Sequence, residues 1–537
     1  MVNRNAFRVL IFASVLVTTL SFAVPRSYAQ IQTLSKQEDK YVETDRQLSA
    51  TDWFDKGRAL AGAKLYKEAL AAYSKAIELN SEYSTAFYRR GNIYVDLADF
   101  KRAIEDYDKA IELNPKYALA YNNRGNAYGE LGDHKRAIED YSKAIEFDPK
   151  DCFTYYNRGK AYGELGDYKR AIEDSSKAIK LNPKFAPAYY NQGLAYDGLG
   201  DFRKAIENYS KAIELNPKSV LAHNNRGNTY CKLGDYDLAI EDYNKTVELD
   251  PKFALAYFNR GFASANLGNY HRAIEDFSKA IQLNPKYAMA YGNRGGTYAL
   301  LNDNKRAIGD FSKAIEVDPK YAFAYGSRGD VYSKLGDYRE AIEDYNMAIE
   351  LNSKDVYSYN NRGYAYVGLG EYKRAIKDYS KAIEIDPNYA IAFANRAEIR
   401  ATLGDNEQAI ADCNKAIELN PKLAEAFAYR GFARLNLGNY KQAGKDCDKA
   451  VELDPKSADA YTYRGIVYIS EHENEKAIKD FNKAIELNPN KPTAYFWRGS
   501  INERLGNHNG AIGDMKSAAG LGDQKAREFL KSNNVPW

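Results

Sequence analysis

The chain has 537 residues, 28% of them charged, only four of them Cys, and a composition uniform enough to suggest one architecture along its length. Lys and Arg number 76 against 73 Asp and Glu. So even a balance leaves no electrostatic footprint for nucleic acid, whose binding rests on neutralising phosphates, and no polybasic patch for a membrane surface.

At the N-terminus Arg4 and Arg8 precede an apolar run from Val9 to Val24, followed by Pro25, Arg26 and the small-x-small triplet Ser27-Tyr28-Ala29. This order is that of a secretory signal peptide with its cleavage site. The apolar run, 16 residues, is short for a bilayer-spanning helix. Residues 1–29 are therefore expected to be removed on export, giving a periplasmic or secreted chain with no membrane insertion. Loss of three arginines would leave 73 basic against 73 acidic residues. The stretch 30–49 is polar and without helical pattern.

From Ala50 the chain is periodic. Gly recurs every 34 residues from Gly57 to Gly499, with Ala397 filling the one gap. A period of this length marks a stack of identical supersecondary units. Fourteen units run from Ala50 to Lys525 without insertion, and residues 118–151 are a close example of the consensus A-x-A-Y-x-N-R-G-x-x-Y-x-x-L-G-D-Y-x-x-A-I-E-D-Y-x-K-A-I-E-L-N-P-K-Y. Small or aromatic residues at unit positions 4, 8 and 11, then 20, 24 and 27, have helical spacing. Gly-Asp at positions 15 and 16 and Pro at position 32 break it. Each unit thus predicts helix A, a tight turn, helix B and a turn into the next. After the last unit, Lys525 to Lys531 predicts an amphipathic cap with Phe529 and Leu530 inward, so 526–537 holds the cap and a frayed tail from Asn533.

These residues resemble the tetratricopeptide repeat family in spacing and in the Gly-Tyr-Ala-Ala-Pro signature, over all of residues 50–525. The resemblance implies an all-α, right-handed superhelix (an α-solenoid) with a concave groove that binds other proteins. The chain departs from the family at position 7, commonly Leu there and Arg here. Positions 4, 7, 8 and 11 share one face of helix A, so this Arg sits half-buried against helix B and needs a partner. Position 23 is Asp in the same twelve units that have Arg at position 7, whereas Gln192 accompanies Asn208 and Lys56 accompanies Ala72. Columns that change together predict bridges such as Arg124–Asp140 and Arg294–Asp310. Glu at position 22 and Lys at position 26, as in Glu105 and Lys109, predict an exposed i,i+4 pair. The 46 Tyr fall mostly at core positions 4, 11, 17 and 24.

The four cysteines are expected to be free. Cys152 and Cys231 lie two units apart. Cys413 and Cys447 are equivalent residues on helices about 8–10 Å apart, beyond the Cα separation of about 7 Å that a disulfide tolerates. No Cys or His pair has metal-ligand spacing, and neither a nucleophile elbow nor a phosphate-binding Gly-rich loop occurs. Neither catalysis nor a cofactor is expected.

Function should then lie on the other face of helix A, at positions 2, 5, 6, 9 and 13, which the resemblance places in the groove. Position 6 is Asn in eight of nine consecutive units: Asn123, Asn157, Asn191, Asn225, Asn259, Asn293, Asn361 and Asn395, with Ser327 between. An Asn amide both gives and accepts a hydrogen bond, so a regular row could hold an extended peptide by its backbone, or else tie neighbouring A helices together. The row is similar to the asparagine ladder of the O-GlcNAc transferases, whose catalytic domain is absent here. If the row faces an open groove, alanine at these sites should weaken binding and cost little stability. Toward the C-terminus position 6 becomes Tyr429, Tyr463 and Trp497, which with Phe432, Leu435, Ile466, Ile469 and Phe496 suggests an exposed aromatic anchor. Gly292, Gly296 and Gly326 suggest a bare stretch of groove floor. Position 5 is never Lys or Arg, so the peptide-carboxylate clamp of chaperone adaptors is not carried over. The expectation is a non-enzymatic scaffold for a partner protein or extended peptide. A glycan-binding module of the cell envelope and a self-assembling architectural rod remain as alternatives.

Overall fold

The computed structural model describes residues 48–537, and the expected signal peptide and the polar stretch as far as residue 47 lie outside them. The described residues form 29 helices and no strand. Helix A of each repeat begins at position 1 and helix B at position 17, from Ala50–Gly62 with Tyr66–Leu79 to Pro492–Arg504 with His508–Gly520. The repeats group into two compact units, divided between Pro285 and Lys286. Within each, helix A packs on its own helix B, and each hairpin on the next.

The turn between the helices follows from two residues. Gly at position 15 ends helix A in the left-handed conformation, as Gly132 (φ +80°) and Gly336 (φ +90°) show. Asp at position 16 then often caps helix B, Asp133 accepting from the Arg136 backbone N–H at 3.0 Å and Asp167 from that of Arg170 at 3.1 Å. Four repeats force a β-carbon into the left-handed turn: Lys64, Ala98, Asn302 and His472, with φ of 63°, 58°, 61° and 62°. That conformation costs an L-residue about 1–2 kcal/mol, partly offset by the unfolded-state entropy of Gly. Ala98→Gly is therefore expected to stabilise the chain by about 1 kcal/mol. A urea midpoint that does not rise would contradict this account of the turn.

The hairpin interior is built of small residues against one ring. Ala at position 20 is at most 1% exposed in every repeat. The ring at position 24 lies directly on the position 8 Gly. A β-carbon on Gly227 would sit 2.8 Å from the Tyr243 ring, and one on Gly363 2.7 Å from that of Tyr379. Where position 8 is Ala397, position 24 is the small Cys413, and both are fully buried in one cluster. All four cysteines are free.

The twelve Arg–Asp pairs all form. Arg124 donates Nε and Nη2 to the two oxygens of Asp140 at 2.8 and 2.6 Å, and Arg294 meets Asp310 at 2.7 Å. The guanidinium does more than bridge its own hairpin. Its Nη1 reaches position 25 of the preceding repeat, as from Arg90 to Ser74 at 2.9 Å and from Arg362 to Asn346 at 2.6 Å. One side chain thereby ties three helices.

Two expectations are corrected. Lys109 pairs with Glu112, at 2.7 Å, and not with Glu105; the same i,i+3 pairing recurs at Lys143–Glu146 and Lys313–Glu316. At the C-terminus the cap is Gln524–Ser532, with Leu530 fully buried. The tail beyond it folds back, Val535 packing in the cap cluster and donating its N–H to Leu530 at 2.9 Å, with Arg527 over the Trp537 ring.

Candidate functional site

The A-helix face is where the repeats differ, and position 6 sits at its centre. Six of the eight Asn amides reach back to the preceding A helix. Asn123 donates to the Tyr88 hydroxyl at 3.1 Å and to Asn92 Oδ1 at 2.9 Å, and Asn157 to Asn122 at 3.2 Å. Asn225 donates to the Tyr190 hydroxyl at 2.8 Å, and Asn259 to Asn224 and Asn228 at 3.3 and 2.9 Å. Asn361 donates to Asp330 at 2.8 Å and Asn395 to Asn360 at 3.0 Å.

The other two do not share this geometry. Asn191 is buried and donates to Ser175 at 3.0 Å. Ser175 stands at position 24 where most repeats have a ring, and Asn191 Nδ2 fills the space beside Gly159 that the ring would take. Asn293 is also buried and donates to the Met289 carbonyl of its own helix at 2.8 Å. The Asn donors are therefore engaged in the fold, and alanine at these sites costs stability as well. Asn225→Ala would leave the Tyr190 hydroxyl without its donor, and Asn191→Ala would open a hole.

What the row leaves to a ligand is complementary. Among the described residues no donor meets the side-chain carbonyls of Asn157, Asn259 and Asn395. A second set of groups stands at position 9. There the carbonyl of Asn92, Asn126 or Asn228 accepts from the position 24 hydroxyl of Tyr107, Tyr141 or Tyr243 at 2.7–2.8 Å. Their Nδ2 groups meet no acceptor among the described residues. The sequence reading missed position 9. Its signal was present: each Asn or Asp at position 9 accompanies a Tyr at position 24.

The C-terminal aromatic residues are not an exposed anchor. Tyr429 and Tyr463 are 8% and 7% exposed and lie in the hydrophobic cluster of their repeats. Phe432 stacks on Tyr463 with centroids 4.7 Å apart and planes at 13°, while Trp497, like Ile466 and Ile469, packs partly buried against the cluster of Ala477, Phe481, Ala484, Ala494 and Ile501. Phe496 packs with the cap cluster. The cause is at position 5, where buried Ala394 and Ala428 let successive A helices close over the rings. Charges are trapped with them. Burial raises the Glu398 carboxyl above its usual range, the Tyr429 hydroxyl being its hydrogen-bond partner, and lowers the Lys491 amine to about 8. Lys491 pairs with Asp459. The glycine floor is bare only in part. A β-carbon on Gly292 would strike Tyr321 at 2.8 Å, whereas one on Gly296 would meet nothing within 4 Å.

Among the described residues no three His, Cys, Asp or Glu are placed to hold a metal ion, and no helix is long and apolar enough to cross a membrane. Family models described as TPR repeat match residues 57–97, 91–132, 227–268, 329–370 and 467–506. Others described as tetratricopeptide repeat match 118–151, 153–185, 186–219, 254–287, 288–321, 356–389, 390–423 and 424–457, among further windows. No curated protein matches the chain. Similar solved structures include the APC/C hetero-tetramer Cut9-Hcn1, at 18% identity over 84% of this chain and 96% of that one with a TM-score of 0.46. Yeast Tom70 is 21% identical over 85% of this chain and 96% of its own, with a TM-score of 0.34. MamA is 32% identical over 30% of this chain and 96% of its own, with a TM-score of 0.29.

Proposed function

Because the chain belongs to the tetratricopeptide repeat family, we propose that it is an exported, non-catalytic scaffold holding an extended segment of a partner protein along its A-helix groove. One observation carries this reading: the polar groups of that face divide into those the fold uses and those it leaves. The position 6 amides are engaged internally, while within the first unit the carbonyls of Asn157 and Asn259 and the Nδ2 groups of Asn126 and Asn228 are left over. Acceptors and donors alternating along a row suit the N–H and C=O groups of an extended backbone. Such a ligand is recognised by its main chain, so binding tolerates salt.

The test uses a fluorescent, permanently unfolded polypeptide of balanced charge as probe and the full chain as host. Binding that persists in high salt is expected, weakened about tenfold by the double substitution Asn126→Asp, Asn228→Asp. This pair keeps the oxygen that accepts from Tyr141 and Tyr243 and replaces the outward donor by a charged acceptor, whose effect high salt screens. Absence of binding to the probe, with retention on envelope polysaccharide instead, would replace the scaffold by a glycan-binding module. Concentration-dependent filaments without probe binding would replace it by an architectural rod.

A further inference from the structure

In the repeat beginning at Ala322, position 9 is Asp330 rather than Asn. Its Oδ1 does what the Asn carbonyl does elsewhere. Tyr345 donates to it at 2.7 Å and Asn361 at 2.8 Å, as Tyr243 and Asn259 donate to Asn228 at 2.7 and 2.9 Å. The side chain is thus an isosteric replacement in an unchanged local network, and only its second atom differs. Where the sister repeats present an amide NH2, this one presents a carboxylate oxygen.

Nothing in the fold answers that charge. The two donors are neutral, no Lys, Arg or His pairs with Asp330 among the described residues, and the one further charge acting on it is Asp355, of the same sign. The buried Asp carboxylates at position 23 are each paired with an Arg. Asp344, in the same repeat, is held bidentately by Arg328, and Glu398 is close enough to Lys491 to feel its charge. The space around Asp330 is also open. Position 9 of the preceding repeat is Gly296, whose β-carbon would meet nothing within 4 Å, and position 5 of its own helix is Gly326, whose β-carbon would meet only Ser358 Oγ at 3.5 Å and Ala348 at 4.0 Å.

We propose that Asp330 is an anionic subsite of the groove, which receives the cationic side chain of a Lys or Arg in the bound polypeptide. The proposal rests on the scaffold reading and adds a side-chain preference to a backbone-reading row. A half-desolvated carboxylate with only neutral donors gains from a cation that reaches it, since charge-assisted bonds are about twice as strong as neutral ones. Burial pushes the Asp330 carboxyl up to about 6. Its charge is present above that pH and lost below it. The other titratable groups around it, Asp355, Tyr345 and Tyr389, supply no positive charge at any pH.

Fluorescent decapeptides of Ala, Ser and Val with one central Lys, Arg or Gln provide the probe, read by anisotropy on the full chain. At pH 7.5 the Lys and Arg peptides are expected to bind about tenfold tighter than the Gln peptide, and at pH 5 the difference should vanish. Asp330→Asn, the residue of the sister repeats, should abolish the preference at pH 7.5 and melt no lower than the parent. Equal binding of all three peptides, or a preference that survives Asp330→Asn, overturns the subsite and leaves the scaffold reading intact. Failure of every peptide to bind overturns both. A clearly lower melting temperature for Asp330→Asn would assign the carboxylate to the fold instead.

Discussion

Arg328→Ala is expected to destabilise the chain by about 3–5 kcal/mol, read as the shift of the urea midpoint at constant slope. In the native structure Arg328 donates to both oxygens of Asp344 at 2.8 and 2.7 Å and to Ser312 of the preceding repeat at 2.8 Å. Asp344 is 5% exposed, so truncating the arginine strands a carboxylate where water cannot reach it. The intact bridge is no measure of that loss. In the equivalent pair of Arg90 and Asp106, burial raises the Asp106 carboxyl although the Arg90 bond pulls it down, so desolvation offsets much of the attraction. Neutralising both partners should therefore cost far less than removing one. The chain itself carries that solution. Gln192 donates to Ser176 at 2.6 Å and keeps the link to the preceding repeat, while Asn208 turns away to the Lys204 carbonyl at 2.9 Å. The double substitution Arg328→Gln, Asp344→Asn is expected to lose less than about 1.5 kcal/mol. Equal losses for the single and double variants would show that the side chain matters through packing alone.

The Arg–Asp ladder was legible because two columns changed in step, and a half-buried charge demands a partner. The third contact of the same guanidinium was not. It falls on position 25 of the preceding repeat, where Ser74, Asp108, Asn346 and Asp448 serve equally as acceptors, so the column shows variety instead of covariation. The helix boundaries were readable from Gly and Asp at the turn for the same reason as the ladder: each has one physical use there. Lys109 could reach either Glu105 or Glu112 from the sequence, and rotamer direction decides between i,i+4 and i,i+3. The Asn row presented a deeper ambiguity, because an amide suits a ligand backbone and a neighbouring helix alike. Tyr429 and Tyr463 looked exposed because position 6 faces outward in an isolated hairpin. Their burial depends on Ala394 and Ala428 at position 5, through the distance between successive helices, and a single-helix projection does not contain that distance.

The second large effect concerns the one repeat without Gly at position 8. In ten repeats a ring at position 24 occupies the volume of the missing β-carbon, and beside Gly431 the Cys447 sulfur does; one built on Gly465 would lie 2.8 Å from the Phe481 ring. Ala397 supplies that β-carbon, and Cys413 leaves the space it needs, both side chains being fully buried. Phe is chosen over Tyr as the test because it brings no hydroxyl to satisfy. Cys413→Phe alone should drive the ring into Ala397 and destabilise by about 3 kcal/mol, the penalty of overpacking an interior with no void. Ala397→Gly alone should cost about 1 kcal/mol from helix propensity. Together they recreate the pair seen at Gly465 and Phe481, so the double variant should recover most of the loss, with a coupling of about 2 kcal/mol in a double-mutant cycle. Additive effects would mean that the helices slide apart to admit the ring. In that case the pairing of Ala397 with Cys413 would record spacing between repeats and not the close approach within one hairpin.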